Sequence, residues 1–461
     1  MKTLWQKKTK HRAGSGEKEP DRNWFYRFTA EEDRELDRNL IPYDILVNIA
    51  QARMLLKVGV YDSKGYEKTK KALHEAWLDW QKGRFDLGPD DEDVHSAIEK
   101  YLTSKAGADG ARIHTGRSRN DQVLADMRLF MKESILDIAT KGLSVARRLV
   151  EIADAYKGVF FAGLTHTQPA MPSSVDAWAT GYLDILLSDF QAMESAFYLI
   201  DQSPLGSAAG YGVPYISIDR QYISEQLGFA RVQESVTAPQ LSRGRFEMQL
   251  VDALSYQALT FNRMASDVVF FMHPSWSLVT LREDQVSGSS IMPQKRNPDA
   301  WELIRGAYHD FQSARTHLAS ISSNLTSGYH RDLQVVKKSV MAAMEQSIML
   351  NEAVWNALSG MEFNREAAQK SLTSEVLATH RANQLVAEGL PFRKAYQRVA
   401  EELAGESASF KAECHGGEEY HHSGSPGSGV AIRITDEIVK MEKWVASQKN
   451  SMERTRDQLL S

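Results

Sequence analysis

A hydroxyl, a cation and an amide stand close together in one short run of the chain. Ser289, Lys295 and Asn297 fall between Ser287 and Asp299. Gly288 precedes two serines, so the backbone there is permissive. Pro293 and Pro298 bar a continuous helix across the run. Asp299, after Pro298, begins a new helix that carries Glu302. A loop holding a nucleophile or base, a cation and several free amides is suited to a developing oxyanion. Ordinary polar surface loops have a similar composition, so the reading depends on clusters elsewhere.

The stretch from Gly107 to Gln122 is punctuated by glycine and dense in donors. Arg117, Ser118, Arg119 and Asn120 can bind a carboxylate there, because guanidinium is its bidentate partner. Asn120 also starts a helix, whose free amides favour an anion. The plainer alternative is a cap beside surface ion pairs. Thr165, His166, Thr167 and Gln168 form a second cluster, in a loop between two long helical patterns. A lone histidine is usually structural, but this surround can hold a polar ligand. In the third cluster, Gly328 to Lys337, Gln334 and Lys337 are three apart on one helix face and can point at one ligand. A solvated helix face is the alternative. Asp91, Glu92 and Asp93 open another helix, where acids suit the dipole or one of them pairs with a cationic ligand.

Long helices must position these clusters. From Thr29, Leu36, Leu40, Ile45, Ile49 and Leu56 recur at helical spacing, with an interruption expected at Pro42 and an end at Gly59. A second helix is predicted from about Ser63 to Lys82, and a third near Asp91. From Asn120 one apolar stripe, including Met127, Met131, Ile135, Ile138, Leu149 and Ile152, runs through roughly eight turns. That length points to a long bundle. Further long helices are predicted over about Ser173–Asp201, Gln240–Met272 and Asp299–Leu318. After Asn364 they shorten, with amphipathic helices over Thr373–Gly389 and Pro391–Gly405 and a final helix closing the chain. Strand signals are few and no internal repeat is evident.

With 461 residues, 42 % hydrophobic and 25 % charged, the composition is that of a globular protein with more than one core. A net charge of −5 provides no global basic field for nucleic acid. No apolar run is long enough to span a bilayer, and the Lys-rich N-terminus lacks the apolar centre of a signal peptide. The single cysteine, Cys414, excludes an intrachain disulfide and fits a reducing compartment, so the cytoplasm is the expected location. Cys414, His415, His421 and His422 lack regular zinc-ligand spacing, and no metal site is expected. Residues 1–23 read as a polar, mobile arm.

Together the clusters resemble the fumarase/aspartase superfamily and, within it, the argininosuccinate lyase family. His-Thr-Gly-Arg-Ser-Arg-Asn-Asp-Gln, His114 to Gln122, resembles that family in particular. Gly-Ser-Ser-Ile-Met-Pro-Gln-Lys-x-Asn-Pro, Gly288 to Pro298, resembles the superfamily signature. Asp91–His95, Tyr329–Lys337 and Gly389–Ala395 are similar too, and the likeness extends from about Asp44 to Glu402.

The resemblance implies an all-α subunit of three domains, here 24–114, a central long-helix bundle over 115–363, and 364–461. It implies a homotetramer with each site shared by three subunits. It also implies a cofactor-free, reversible elimination that breaks a C–N bond in an N-substituted succinate and releases fumarate. Carried over residue by residue, Ser289 is the base, with Lys295 and loop amides favouring its alkoxide. His166 matches the other catalytic histidine, and Glu302 the glutamate that orients it. Asn120, Thr165, Tyr329, Gln334 and Lys337 match substrate-binding positions. Asn297 and Ser118 help hold carboxylates, and Asp93 falls near the guanidinium side. The partners implied are small molecules and other copies of the chain, not nucleic acid or membrane.

This chain also departs from the family's pattern. Leu4-Trp5-Gln6-Lys7-Lys8 stands where the family has Trp-x-Gly-Gly-Arg-Phe. Asn48 replaces a substrate-contacting serine, Gln51 a histidine and His330 an asparagine, and Ser242-Arg243-Gly244-Arg245 replaces Asp-Arg-Asp. These changes gather towards the amine side. The implied substrate is argininosuccinate, split to arginine and fumarate. The alternatives are a lyase for another amine, of the ethylenediamine-disuccinate or a biosynthetic type, and a non-catalytic, crystallin-like structural protein.

Overall fold

The computed structural model describes residues 24–404 and 419–461. The expected arm at 1–23, the Leu4–Lys8 departure, Cys414 and His415 lie outside the described residues.

Helices dominate. A short acidic helix, α1 (Glu32–Asp37), leads through a 3-10 turn at Arg38–Leu40 into α2 (Ile41–Lys57). Pro42 sits in the first turn of α2, where its missing N–H breaks no helical bond, so the interruption expected there falls just before it. Helices α3 (Ser63–Gln81) and α4 (Val94–Ala106) follow. Asp62 caps α3 by accepting from the Gly65 amide at 2.7 Å, and Asp93 caps α4.

The 37-residue α5 (Arg119–Ala155) spans about 55 Å at helical rise. Its apolar stripe is buried against α6 (Val175–Ile200) and α9 (Val336–Ser359). Helices α7 (Arg245–Phe271) and α8 (Asp299–Ile321) complete the bundle, with α7 packed on α6, α8 and α9. At the α5–α6 contact Gly142 leaves no room: a Cβ there would lie 2.7 Å from the Phe190 ring. Each fully buried Leu, Ile or Phe of this core contributes about 1.5–3 kcal/mol. Helix α7 starts at Arg245 rather than Gln240, because Gly244 takes a φ of +84° and breaks the run.

A short hairpin of β1 (Phe160–Thr165) and β2 (Gln168–Ser174) separates α5 from α6. A loop between two long helices was expected there, and the strand pairing was not. Pro169 and Pro172 exclude helix, while Phe160, Phe161 and Ala162 are buried as a strand end. Two smaller pairings are β3 (Gln202–Ser203) with β4 (Arg231–Val232), and β5 (Val279–Leu281) with β6 (Met361–Phe363). Helices α10 (Ser374–Ala387) and α11 (Phe392–Ala404) share a separate small core of Ala382, Leu385, Ala395 and Val399. Helix α10 also packs on β2, and α12 (Ile432–Leu460) runs against α5, α2 and α6. Among the described residues no helix is long and apolar enough to cross a membrane.

Candidate active site

A cleft of about 490 Å³ opens where the starts of α4 and α5 face the Tyr329–Lys337 segment. Asp93, Ser118, Asn120, Tyr329, Gln334 and Lys337 all line it, from stretches far apart in the chain. Asp33, Asp37, His95 and Arg243 line it too, and sequence reasoning had not placed them in a site. Asp33 and Asp37 are four apart, a one-face spacing visible in the sequence. What that face meets was not visible.

At the start of α5 the cap is Ser118, not Asn120. Its Oγ accepts from the Asn120 amide at 3.3 Å, while its own amide donates to Asp121 at 2.9 Å. Asn120 Nδ2 also donates to Ser118 Oγ, at 3.3 Å. Arg119 bonds Asp93 at 2.7 Å and Glu92 at 3.2 Å. Asp93 accepts from the Ser96 amide at 2.7 Å. Burial pushes its carboxyl up, but His95, Arg119 and Ser96 outweigh this and hold it below the ordinary range. Burial, with the Arg117 and Arg119 charges, pushes His114 down to about 4.

Opposite, Lys337 Nζ lies between Asp33 and Asp37. Burial works against its charge, but the two carboxylates outweigh it and hold its pKa up. Gln334 Nε2 donates to the Thr29 carbonyl at 3.0 Å, tying this segment to the start of the chain. The Tyr329 hydroxyl is pushed up to about 12 by burial and the Asp121 charge.

Asn48 lies one layer beneath the cleft, not in its lining. It is 1 % exposed, accepts from Arg117 Nη2 at 2.7 Å and donates to the Asp44 carbonyl at 2.7 Å. Gln51 donates to the Thr115 carbonyl at 2.8 Å. Both departures in α2 therefore brace the loop that presents Ser118 to Asn120. Beside them, Gln122 donates to Asp44 at 2.6 Å, and His95 Nδ1 lies 3.0 Å from Asp44. Asp44, His95 and Asp126 are near enough to hold a cation, but the Arg117 guanidinium already brings a positive charge to Asp44 and Asp126.

Thr165, His166, Ser289, Lys295, Asn297 and Glu302 do not line this cleft. His166 and Thr167 form the tip of the β1–β2 hairpin, both left-handed, with φ of +54° and +61°. That is strained backbone for residues with side chains. The hairpin base is held by Ala162 N–H donating to Ser371 Oγ at 2.8 Å. The loop before α8 closes at its neck, where Ser287 and Asn297 exchange backbone bonds of 3.1 and 2.9 Å. Asn297 Nδ2 adds a bond to Ser287 Oγ at 3.3 Å. Ser289 is half-buried within the loop, and its Oγ accepts from the Ile291 amide at 3.3 Å. Thr165, His166, Lys295 and Glu302 are exposed.

Residues 23–310 match a family model described as lyase. The chain is 42 % identical over 381 residues to the argininosuccinate lyase of Thermotoga neapolitana, covering 82 % of this chain and 95 % of that one. The argininosuccinate lyase of Bacteroides thetaiotaomicron is 34 % identical, with 94 % and 96 % covered. Among solved structures, an EDDS lyase in complex with formate superposes with a TM-score of 0.77 at 19 % identity, covering 94 % of each chain. The class II fumarase of Schistosoma mansoni superposes at 0.69 and 16 % identity, covering 79 % of this chain and 84 % of that one. The structures share the fold, and the sequence likeness extends over most of the chain: this chain belongs to the argininosuccinate lyase family of carbon–nitrogen lyases.

Proposed function

We propose that the protein cleaves argininosuccinate to arginine and fumarate by β-elimination. One observation carries the reading. A single cleft sets donors for a carboxylate, Ser118, Asn120 and Arg243, beside an acidic wall of Glu92 and Asp93. An N-substituted succinate bearing a guanidinium presents both complementary charges.

In this reading Ser289 removes a proton from the carbon beside a carboxylate, with Lys295 and loop amides favouring its alkoxide. Asn120, Thr165, Ser118 and Asn297 meet the aci-carboxylate that forms. Tyr329, Gln334 and Lys337 hold the remainder of the substrate. The C–N bond then breaks with its electron pair on nitrogen. Glu302 orients His166, and each proton-transfer group contributes about 10²–10⁴-fold.

The cleft and the exposed groups come together in a homotetramer, with each site drawn from three subunits. Supporting this, the bundle helices carry exposed Ile185, Tyr256, Leu259, Leu303, Met349 and Trp355, apolar surface suited to burial between copies. The lone cysteine supports a reducing compartment, the cytoplasm.

The test is fumarate formation from argininosuccinate, followed by ultraviolet absorbance, with Ser289→Ala as the blank. Turnover that the variant loses supports both substrate and base. A second reading, another amine, is favoured by His330 in the cleft lining. Absence of turnover, with addition of a different amine to fumarate, would establish it.

A further inference from the structure

Elimination leaves a nitrogen that must gain a proton, and the cleft floor holds a group built to supply one. His95, in the first turn of α4, is 5 % exposed and lines the cleft beside Asp93 and Arg119. Its Nδ1 lies 3.0 Å from Asp44 Oδ1, so Nδ1–H donates to that carboxylate and Nε2 is the nitrogen left for the cleft. Asp126 Oδ2 is 3.6 Å from the same Nδ1. Both Asp126 oxygens and Asp44 Oδ2 are sealed from solvent with no donor from another residue. Oxygens of Asp44 and Asp126 lie within 4.8 Å of each other, and like charges that close oppose each other's ionisation. Burial and Asp44 push the Asp126 carboxyl well above the ordinary range.

We propose that His95, backed by Asp44 and Asp126, is the general acid that protonates the departing nitrogen. The proposal rests on the elimination reading above. As the C–N bond breaks, its electron pair stays on nitrogen. The Nε2 proton of the imidazolium moves onto that nitrogen and leaves a neutral imidazole. The proton taken from carbon resides at the base, and exchange with solvent after product release resets both groups.

The other cleft groups suit the task less. His114, at about 4, is neutral at pH 7. Lys337 is clasped by Asp33 and Asp37. Tyr329, at about 12, is the remaining competitor. His95 faces Asp44 and Asp126 behind it and Asp37 and Asp93 beside it, and Arg117, Arg119 and His114 line the same cleft. Burial opposes its charge, but Asp44, Asp93 and Asp37 outweigh burial and hold the pKa above the ordinary histidine value. The charged acid therefore persists to higher pH than an ordinary histidine would, and its loss lowers the forward rate on the alkaline side.

The test compares full-length wild type with His95→Gln, Asp44→Asn and Tyr329→Phe. His95→Gln should lower kcat about 10²–10⁴-fold with KM little changed, and should abolish the alkaline limb of kcat. Fumarate binding by calorimetry should persist. Asp44→Asn should move the wild-type limb to lower pH. Full activity in His95→Gln, or a rate loss with the alkaline limb unchanged, overturns the proposal. So does a limb that Tyr329→Phe abolishes and His95→Gln keeps. If His95→Gln no longer binds fumarate, Asp44→Asn decides, and an unmoved limb overturns the proposal. Wild type that forms no fumarate and adds no amine to it overturns the functional reading, and this proposal with it.

Discussion

Lys337 Nζ lies 2.5 Å from Oδ1 of Asp33 and 2.5 Å from Oδ1 of Asp37, so a buried cation of the cleft is neutralised from within the chain. The two acids belong to α1 and the lysine to α9. The contact thus fastens the start of the described chain to the bundle and shapes one cleft wall.

Lys337→Ala should strand Asp37, which is 1 % exposed, without its counter-charge. Removing one partner of a buried ion pair costs about 3–5 kcal/mol. Calorimetry should show a clearly lower melting temperature. The double variant Asp37→Asn, Lys337→Met should melt closer to wild type than Lys337→Ala does.

His114 should make stability depend on acid pH. Its folded value of about 4 lies below the ordinary 6.5, so its contribution is complete above 6.5 and is lost as pH falls through about 4. His114→Gln cannot gain the charge. Its melting temperature should fall less steeply over that window, and an identical slope would count against the assignment.

Ser118→Ala removes the α5 cap and should cost about 1 kcal/mol. The loss should also appear in catalysis, because Arg119 and Asn120 follow the cap directly. KM should rise, and the melting temperature should drop modestly.

Asn48→Ala takes an acceptor from Arg117, whose Nη2 then keeps only the Ile113 carbonyl at 3.0 Å. Leaving a buried donor short of a partner costs about 1–3 kcal/mol. A melting temperature unchanged from wild type would remove Asn48 from its bracing role.

Ser289→Ala should abolish fumarate formation while leaving the melting temperature unchanged, because the loop lies outside the core. Equal activity in this variant would displace Ser289 as the base.

Much of the fold was legible because helix periodicity is local. The α5 stripe from Met127 to Ile152 declared itself, and Pro298 followed by Asp299 marked the start of α8. The β1–β2 hairpin was missed because its strands are short and β2 carries two prolines, and a pairing between Thr165 and Gln168 leaves no periodic trace. The cleft was half legible. Ser118 and Asn120 stood out through donor density, and Tyr329 through the family resemblance. Asp33, Asp37 and His95 did not, because each reads locally as ordinary helix chemistry and gains its meaning only from a facing element.

The neck formed by Ser287 and Asn297 makes the intervening loop a closed module. Its ends are fixed to one another before α8 begins, so a change in length between Gly288 and Arg296 need not alter the register of that helix. Loop entropy grows only slowly with length. The segment can therefore be exchanged like a cartridge for that of a relative, altering the surroundings of the loop serine while the bundle stays as it is.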